Sequence, residues 1–285
     1  MRRTLVVPAL ALACASVSAQ QVSLPMKEGS VRFAVIGDSG TGGGAQRKVA
    51  ERIAAVHKIY PFEFVLMLGD NLYGSEVDVD YAAKFEKPYK PLLDAGVKFY
   101  AALGNHDDPS QRLYKPFNMN GERFYTFKAP RGSVRFYALD SNYMQKDQLD
   151  WLAKELASSD SDWKIAFFHH PLYSSGEKHG SDLGLREQIE PLFIKNGVDV
   201  VLTGHEHFYE RLKPQNGIHY IVSGSSAKLR RGNIGQSAMT AKGFDEGYTF
   251  MIVEIIGDEL HFQTISDQGK TIDSGVIPRR LDEQR

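Results

Sequence analysis

The sequence predicts an α/β protein, a mixed β-sheet sandwich flanked by helices, and three observations predict it. Five short apolar runs each end at a potential metal-binding side chain, four of them through a glycine-containing turn. Segments with apolar residues at helical spacing lie between several of these runs, the alternation expected where parallel strands are joined by helices. Beyond Ile218 the pattern changes to longer runs with polar turns, as in antiparallel strands.

Taken in order, Val31–Ile36 runs into Gly37-Asp38, and Phe64–Leu68 runs into Gly69-Asp70. Phe99–Leu103 leads to Gly104-Asn105-His106, Ile165–Phe168 to His169, and Val198–Leu202 to Thr203-Gly204-His205. These runs are short and rich in Val, Phe, Ile and Leu, as strands buried on both faces are. Helices are expected at Ala45–Ile59 (Val49, Ile53, Val56), Asp147–Ala157 (Leu149, Leu152, Leu156) and Leu185–Asn196 (Leu185, Ile189, Leu192, Phe193). His219–Val222, Tyr248–Ile256 and Leu260–Ile265 read as strands of the last part, and Phe136–Leu139 as a further strand ending at Asp140. Ser223 to Gly247 reads as a long loop carrying a basic cluster, Lys228, Arg230 and Arg231. It is either a solvated surface loop or a rim that attracts anions.

The chain has 285 residues, 42% of them hydrophobic, enough for one large domain with a well-buried core, expected at 28–282. Its 34 Lys and Arg against 35 Asp and Glu lack the basic excess of a general nucleic-acid binder. Residues 1–19 read as a signal peptide: Arg2 and Arg3, an apolar run from Thr4 to Ala15 too short to span a bilayer, then small residues before Gln20. Secretion or export to the periplasm is the expectation. The one cysteine, Cys14, would leave with that segment; a second reading makes it a lipoprotein anchor. No later stretch is long and apolar enough for a membrane-spanning helix. The oligomeric state is not legible.

Ligands in open α/β sheets bind beyond the carboxyl ends of the strands, so five strands ending in such side chains point to one shared site. Six of the nine histidines fall in or just after these turns: His106, His169, His170, His179, His205 and His207. Carboxylate, amide oxygen and imidazole suit iron, zinc or manganese. Two metals bridged by one carboxylate need about seven protein ligands, the number in Asp38, Asp70, Tyr73, Asn105, His169, His205 and His207. His170 is expected to point away from its neighbour, as successive extended residues do. Asp107 is expected to orient a histidine and Glu206 to make a rim contact at most.

The ordered blocks Asp38-Ser39-Gly40, Gly69-Asp70-Asn71-Leu72-Tyr73, Gly104-Asn105-His106-Asp107, His169-His170-Pro171 and Gly204-His205-Glu206-His207 resemble the five-block pattern of the purple acid phosphatases, in particular the small tartrate-resistant type. The resemblance implies the four-layer αββα fold of the metallophosphoesterases. It implies a dinuclear centre in which Asp38, Tyr73 and His207 hold Fe(III), Asn105, His169 and His205 hold a divalent metal (Fe, Zn or Mn), and Asp70 bridges. It also implies acid phosphatase activity on small-molecule phosphate monoesters through a metal-bound hydroxide. His106 and His179 would contact the phosphoryl group or protonate the leaving alkoxide. His179 follows His169 by one residue more than the family spacing, and a solvated loop position is its other reading. Tyr73 is otherwise a packing aromatic at a loop edge. Two other functions stay open: a phosphodiesterase or nucleotidase with two divalent metals, and an exported phosphate- or metal-binding protein without catalysis.

Overall fold

A computed structural model describes residues 22–280; the expected leader and Cys14 lie outside the described residues. Along the chain, Val31–Ile36 (β1), Gly44–Ile59 (α1) and Phe64–Leu68 (β2) come first. Asp78–Tyr81 (α2) continues through a wider turn at Ala82–Glu86 into Lys87–Asp94 (α3), and Lys98–Ala102 (β3) follows. Next come Tyr125–Lys128 (β4), Val134–Ala138 (β5), Lys146–Ala157 (α4), Trp163–Phe168 (β6), Leu183–Lys195 (α5) and Val200–Thr203 (β7). The last part holds Tyr209–Leu212 (β8), His219–Ser223 (β9), Thr240–Phe244 (β10), Thr249–Ile256 (β11), Glu259–Ser266 (β12) and Thr271–Pro278 (β13).

The strands form two sheets, in the orders β13-β12-β11-β1-β2-β3 and β10-β8-β9-β7-β6-β5-β4. Both are mixed. β1, β2 and β3 pair in parallel, while β1 meets β11 antiparallel. In the second sheet β5, β6, β7 and β9 run parallel. β1, β2, β6 and β7 lie inside their sheets with both faces covered, which is why they are apolar runs without alternation, while β3 closes one edge.

Period-two geometry still sorts their side chains between layers. Ile165 and Phe167 of β6 join the core between the sheets, with Phe33, Phe64 and Phe136. Ala166 and Phe168 join a second core with Leu152, Leu156, Ile189 and Phe193 of α4 and α5. Val49, Ile53 and Val56 of α1 cover the first sheet. The result is the helix–sheet–sheet–helix sandwich expected from the sequence.

The parallel strands set the site. β1, β2 and β3 in one sheet and β6 and β7 in the other finish at the same end of the sandwich. Part of the expected 223–247 loop is strand: β10 pairs with β8 at the edge of the second sheet.

Candidate metal centre

Three strand ends turn by the same device. Asp38, Asp70 and His205, the residues that follow β1–Gly37, β2–Gly69 and β7–Gly204, have φ of 53°, 51° and 67°. This left-handed region is costly for a residue with a Cβ, and such strain concentrates at functional sites. Here it turns each side chain inward. The glycines are required by close approach as well: a Cβ on Gly104 would stand 2.2 Å from the Asp70 backbone nitrogen.

The seven candidate ligands converge as two groups. In the first, the Tyr73 hydroxyl lies 3.1 Å from Asp38 Oδ1 and 3.4 Å from His207 Nε2, and His207 Nε2 is 3.3 Å from Asp38 Oδ1. In the second, Asn105 Oδ1 is 3.0 Å from both His169 Nε2 and His205 Nδ1, and those nitrogens are 3.1 Å apart. Asp70 stands between the groups, clustering with Asp38 and His207 and placing Oδ1 3.4 Å from His169 Nε2. Backbone N–H groups hold both carboxylates: His205 donates to Asp38 Oδ2 (2.9 Å) and His106 to Asp70 Oδ1 (3.0 Å). His169 Nδ1 lies 2.9 Å from the Leu68 carbonyl. Nδ1–H therefore donates there, and the lone pair of Nε2 faces the site.

The electrostatics of these donors call for cations. Burial and the facing Asp70 push the Asp38 carboxyl well up. Burial, then Asp38 and Asp70, push the Tyr73 phenol up. Burial holds His169 well below its usual value, His205 at about 2 and His207 at about 4. Buried carboxylates that repel one another, beside imidazoles held neutral, are a donor set that bound cations would relieve. Carboxylate, phenol, amide and imidazole donors without a thiol fit hard-to-borderline metals.

His106 and His179 lie on the rim, both exposed. The His106 ring is 4.9 Å from that of Tyr73, and the His179 ring is 4.4 Å from that of His205. The structure thus brings both histidines to the site, on opposite groups.

Three expectations are corrected, and one that was open between two readings is narrowed. His170 does not point away: its ring lies 4.4 Å from that of His205, and it clusters with His169 and His205. β6 ends at Phe168, so strand alternation no longer governs the pair. Asp107 orients no histidine among the described residues. It staples the turns, accepting from the Leu72 and Gly104 N–H groups (3.0 and 2.8 Å) and from the Asn71 and Gln111 amides (3.1 and 2.8 Å). Glu206 is no rim residue; it is fully buried and bonds the His179 turn and Arg230. The basic cluster is not merely a solvated loop. Lys228 Nζ stands 4.3 Å from the Tyr73 ring centre, and the Arg230 N–H donates to the His207 carbonyl (3.0 Å). A basic run beside glycines was the only sequence signal for that contact.

Comparison with known proteins gives three results. Residues 31–209 match the calcineurin-like phosphoesterase family. The chain is 28% identical to tartrate-resistant acid phosphatase type 5 of Homo sapiens, over 88% of this chain and 92% of that protein. It is 26% identical to purple acid phosphatase 17 of Arabidopsis thaliana, over 85% and 86%. Among solved structures, purple acid phosphatase PPD1 from yellow lupin superposes with a TM-score of 0.72 at 19% identity, covering 92% of this chain and 56% of that one. GAP50, described as the anchor in the inner membrane complex of Plasmodium, superposes with a TM-score of 0.76 at 20% identity, covering 90% of each chain. The fold alone therefore does not decide function, and the argument rests on the side chains.

Proposed function

Because the chain belongs to the calcineurin-like phosphoesterase family and is a phosphatase, we propose that it is an acid phosphatase hydrolysing small phosphate monoesters at a centre of one ferric and one divalent ion. The observation that carries this reading is the Tyr73 hydroxyl, set between Asp38 and His207 at 3.1 and 3.4 Å. A packing aromatic would have no need to place its oxygen among buried acceptors.

Asp38, Tyr73 and His207 would hold the ferric ion, Asn105, His169 and His205 the divalent ion, and Asp70 both. Bound there, the two cations would supply Lewis acidity toward the phosphoryl group and acidify a water between them. The chain's own part is positioning, charge and protons. His205 and His106 N–H groups fix the two carboxylates, and the Leu68 carbonyl fixes the His169 tautomer. Lys228 brings positive charge beside Tyr73, where the ester's dianion would lie, and Arg230, paired with Glu206, braces the His207 turn. The leaving oxygen departs as the alcohol when an imidazolium gives up its proton, and the exposed His106 and His179 rings are the donors we assign to it. Residues 28–282 would form the one domain that carries this site, and 1–19 its export signal.

The test is a visible absorption spectrum with metal analysis of the purified protein, beside Tyr73→Phe, and turnover of aryl monoester against diester. Iron with a visible band that disappears in the variant, and monoester preference, is the expected result. A colourless, active protein with two zinc or manganese ions would make Tyr73 a packing residue and remove the ferric assignment. Diester preference would remove the substrate assignment.

A further inference from the structure

A cavity of about 380 Å³ opens beside the candidate ligands, between the turns that follow β3 and β5 and the start of α5. Asn105 and His170 form its wall toward the metal centre, and Asp140, Asn142, Tyr143 and Asp182 line the remainder. Its volume is that of a small-molecule site. Among the described residues, no lysine or arginine lines it.

Its charged groups are unequal. Asp140 is fully buried and paired with Arg123 at 3.2 Å, so that pair is nearly neutral. Asp107, also in the lining, has both oxygens occupied by N–H donors of its own turns. Asp182 is different: Oδ1 caps α5 by accepting from the Leu185 N–H (2.9 Å), while Oδ2 has no partner among the described residues. The Asn142 amide donates to the Leu103 and Gly104 carbonyls (3.3 and 3.1 Å), which turns its NH2 edge toward the backbone and leaves its oxygen as an acceptor. The cavity is thus rich in acceptors, and of its lining carboxylates Asp182 is the one with an open oxygen among the described residues. The basic Lys228 belongs instead to the Tyr73 side of the centre, and Arg230 is paired with Glu206.

This asymmetry orients a substrate. We infer that the cavity is the subsite for the alcohol portion of the ester, and that it selects a small alcohol bearing an ammonium group over one bearing a carboxylate. The inference rests on the monoesterase reading above. The dianionic phosphoryl end is drawn toward the basic side, and the organic end falls against Asp182, where an ammonium finds an acceptor and a carboxylate meets a like charge.

The test uses binding, so that it does not depend on turnover. The metal-loaded protein is titrated calorimetrically with 2-aminoethylphosphonate, propylphosphonate and 3-phosphonopropionate, with affinities referred to the phosphonate dianion. The ammonium ligand should bind about fivefold tighter than the carboxylate ligand, the upper end of the range for one partly screened charge pair. Propylphosphonate should fall between them. Asp182→Asn keeps a cap for α5 and should bring the ratio to about one, the preference being lost with the charge. On the unaltered protein the ratio should also shrink at high salt, a check that does not depend on the variant folding. Equal or reversed affinities, a preference that survives Asp182→Asn, or no phosphonate binding would each overturn the inference. Aryl phosphate turnover on the same sample reads the underlying proposal separately. Turnover without a charge preference removes the subsite alone; a preference without turnover removes the monoesterase reading and the alcohol-subsite role with it, leaving only the ammonium preference of the cavity.

Discussion

Glu206 sits between two candidate ligands and ties together the loops on either side of them. Its Oε1 accepts from the N–H groups of His179 (3.1 Å) and Gly180 (2.7 Å), and its Oε2 pairs with Arg230 (3.1 Å). The carboxylate is fully buried, whereas the Arg230 side chain keeps 21% of its exposure. Glu206→Ala removes both acceptor oxygens and with them all three contacts. The N–H of exposed His179 can turn to water and costs little; that of Gly180 costs about 1 kcal/mol. Arg230 loses its carboxylate partner at a mostly desolvated position, worth about 2–3 kcal/mol. The whole is about 3–4 kcal/mol, near the lower figure if Arg230 swings out to solvent. Glu206→Gln keeps an acceptor for the turn and loses the charge, so it should cost about half as much. Urea unfolding measures the totals, and hydrogen exchange locates them: the His179 and Gly180 amides should lose protection before the strands do. A Glu206→Ala protein within about 1 kcal/mol of the original, with exchange at those two amides unchanged, would refute the reasoning.

Three further outcomes follow from the same geometry. A Cβ on Gly176 would stand 2.3 Å from Glu206 Oε1, so Gly176→Ala should cost about 1–3 kcal/mol in urea unfolding and be less harmful when Glu206 is Ala, a coupling that a double-mutant cycle reads. Burial, helped by Arg211, holds His219 at about 4 against an ordinary 6.5, so its contribution is complete above pH 6.5 and is lost as pH falls through 4. His219→Gln should therefore flatten the acid limb of stability by about 2 kcal/mol, less than full linkage because the ring is only partly buried; an unchanged limb would count against it. Burial and the facing Asp70 disfavour ionised Asp38, so metal loading should raise Tm, release protons, and give a smaller gain at pH 5 than at pH 7. A chelator that leaves Tm unmoved would exclude a structural metal load.

The fold was legible where local pattern and burial coincide. β1 and β2 lie where the apolar runs put them, and β3 and β7 lie within two residues of expectation. β4, β10 and β13 were not singled out, because edge strands exposed on one face lack a continuous apolar run, and β8 was missed because Glu210 and Arg211 interrupt it. The α2–α3 segment also escaped notice, interrupted as it is by a wider turn and by Pro91.

The candidate ligands and the groups around them differ in legibility for a chemical reason. A metal ligand must be one of a few residue types, and here each follows a buried strand, so identity and position can be read together. Even so, the left-handed turn at Asp38, Asp70 and His205 left only its preceding glycines as a trace. The surrounding shell has no such restriction. Glu206, Arg230 and Lys228 are common surface residues, and their roles arise from how distant loops meet. The bridge between Gly176 and Ile234, with the Glu177 N–H donating to the Asn233 carbonyl (2.9 Å), joins the His179 loop to the basic loop. That join makes Glu206 an internal staple and sets Lys228 over Tyr73. Substitutions among the ligands should therefore change the metal centre itself, whereas substitutions in the shell should alter which esters it holds and how firmly, while the metals remain bound. Metal analysis of Glu206→Gln and of Asp70→Asn separates the two: full occupancy in the first and loss in the second is the expected pair, and metal loss in both would make Glu206 part of the centre.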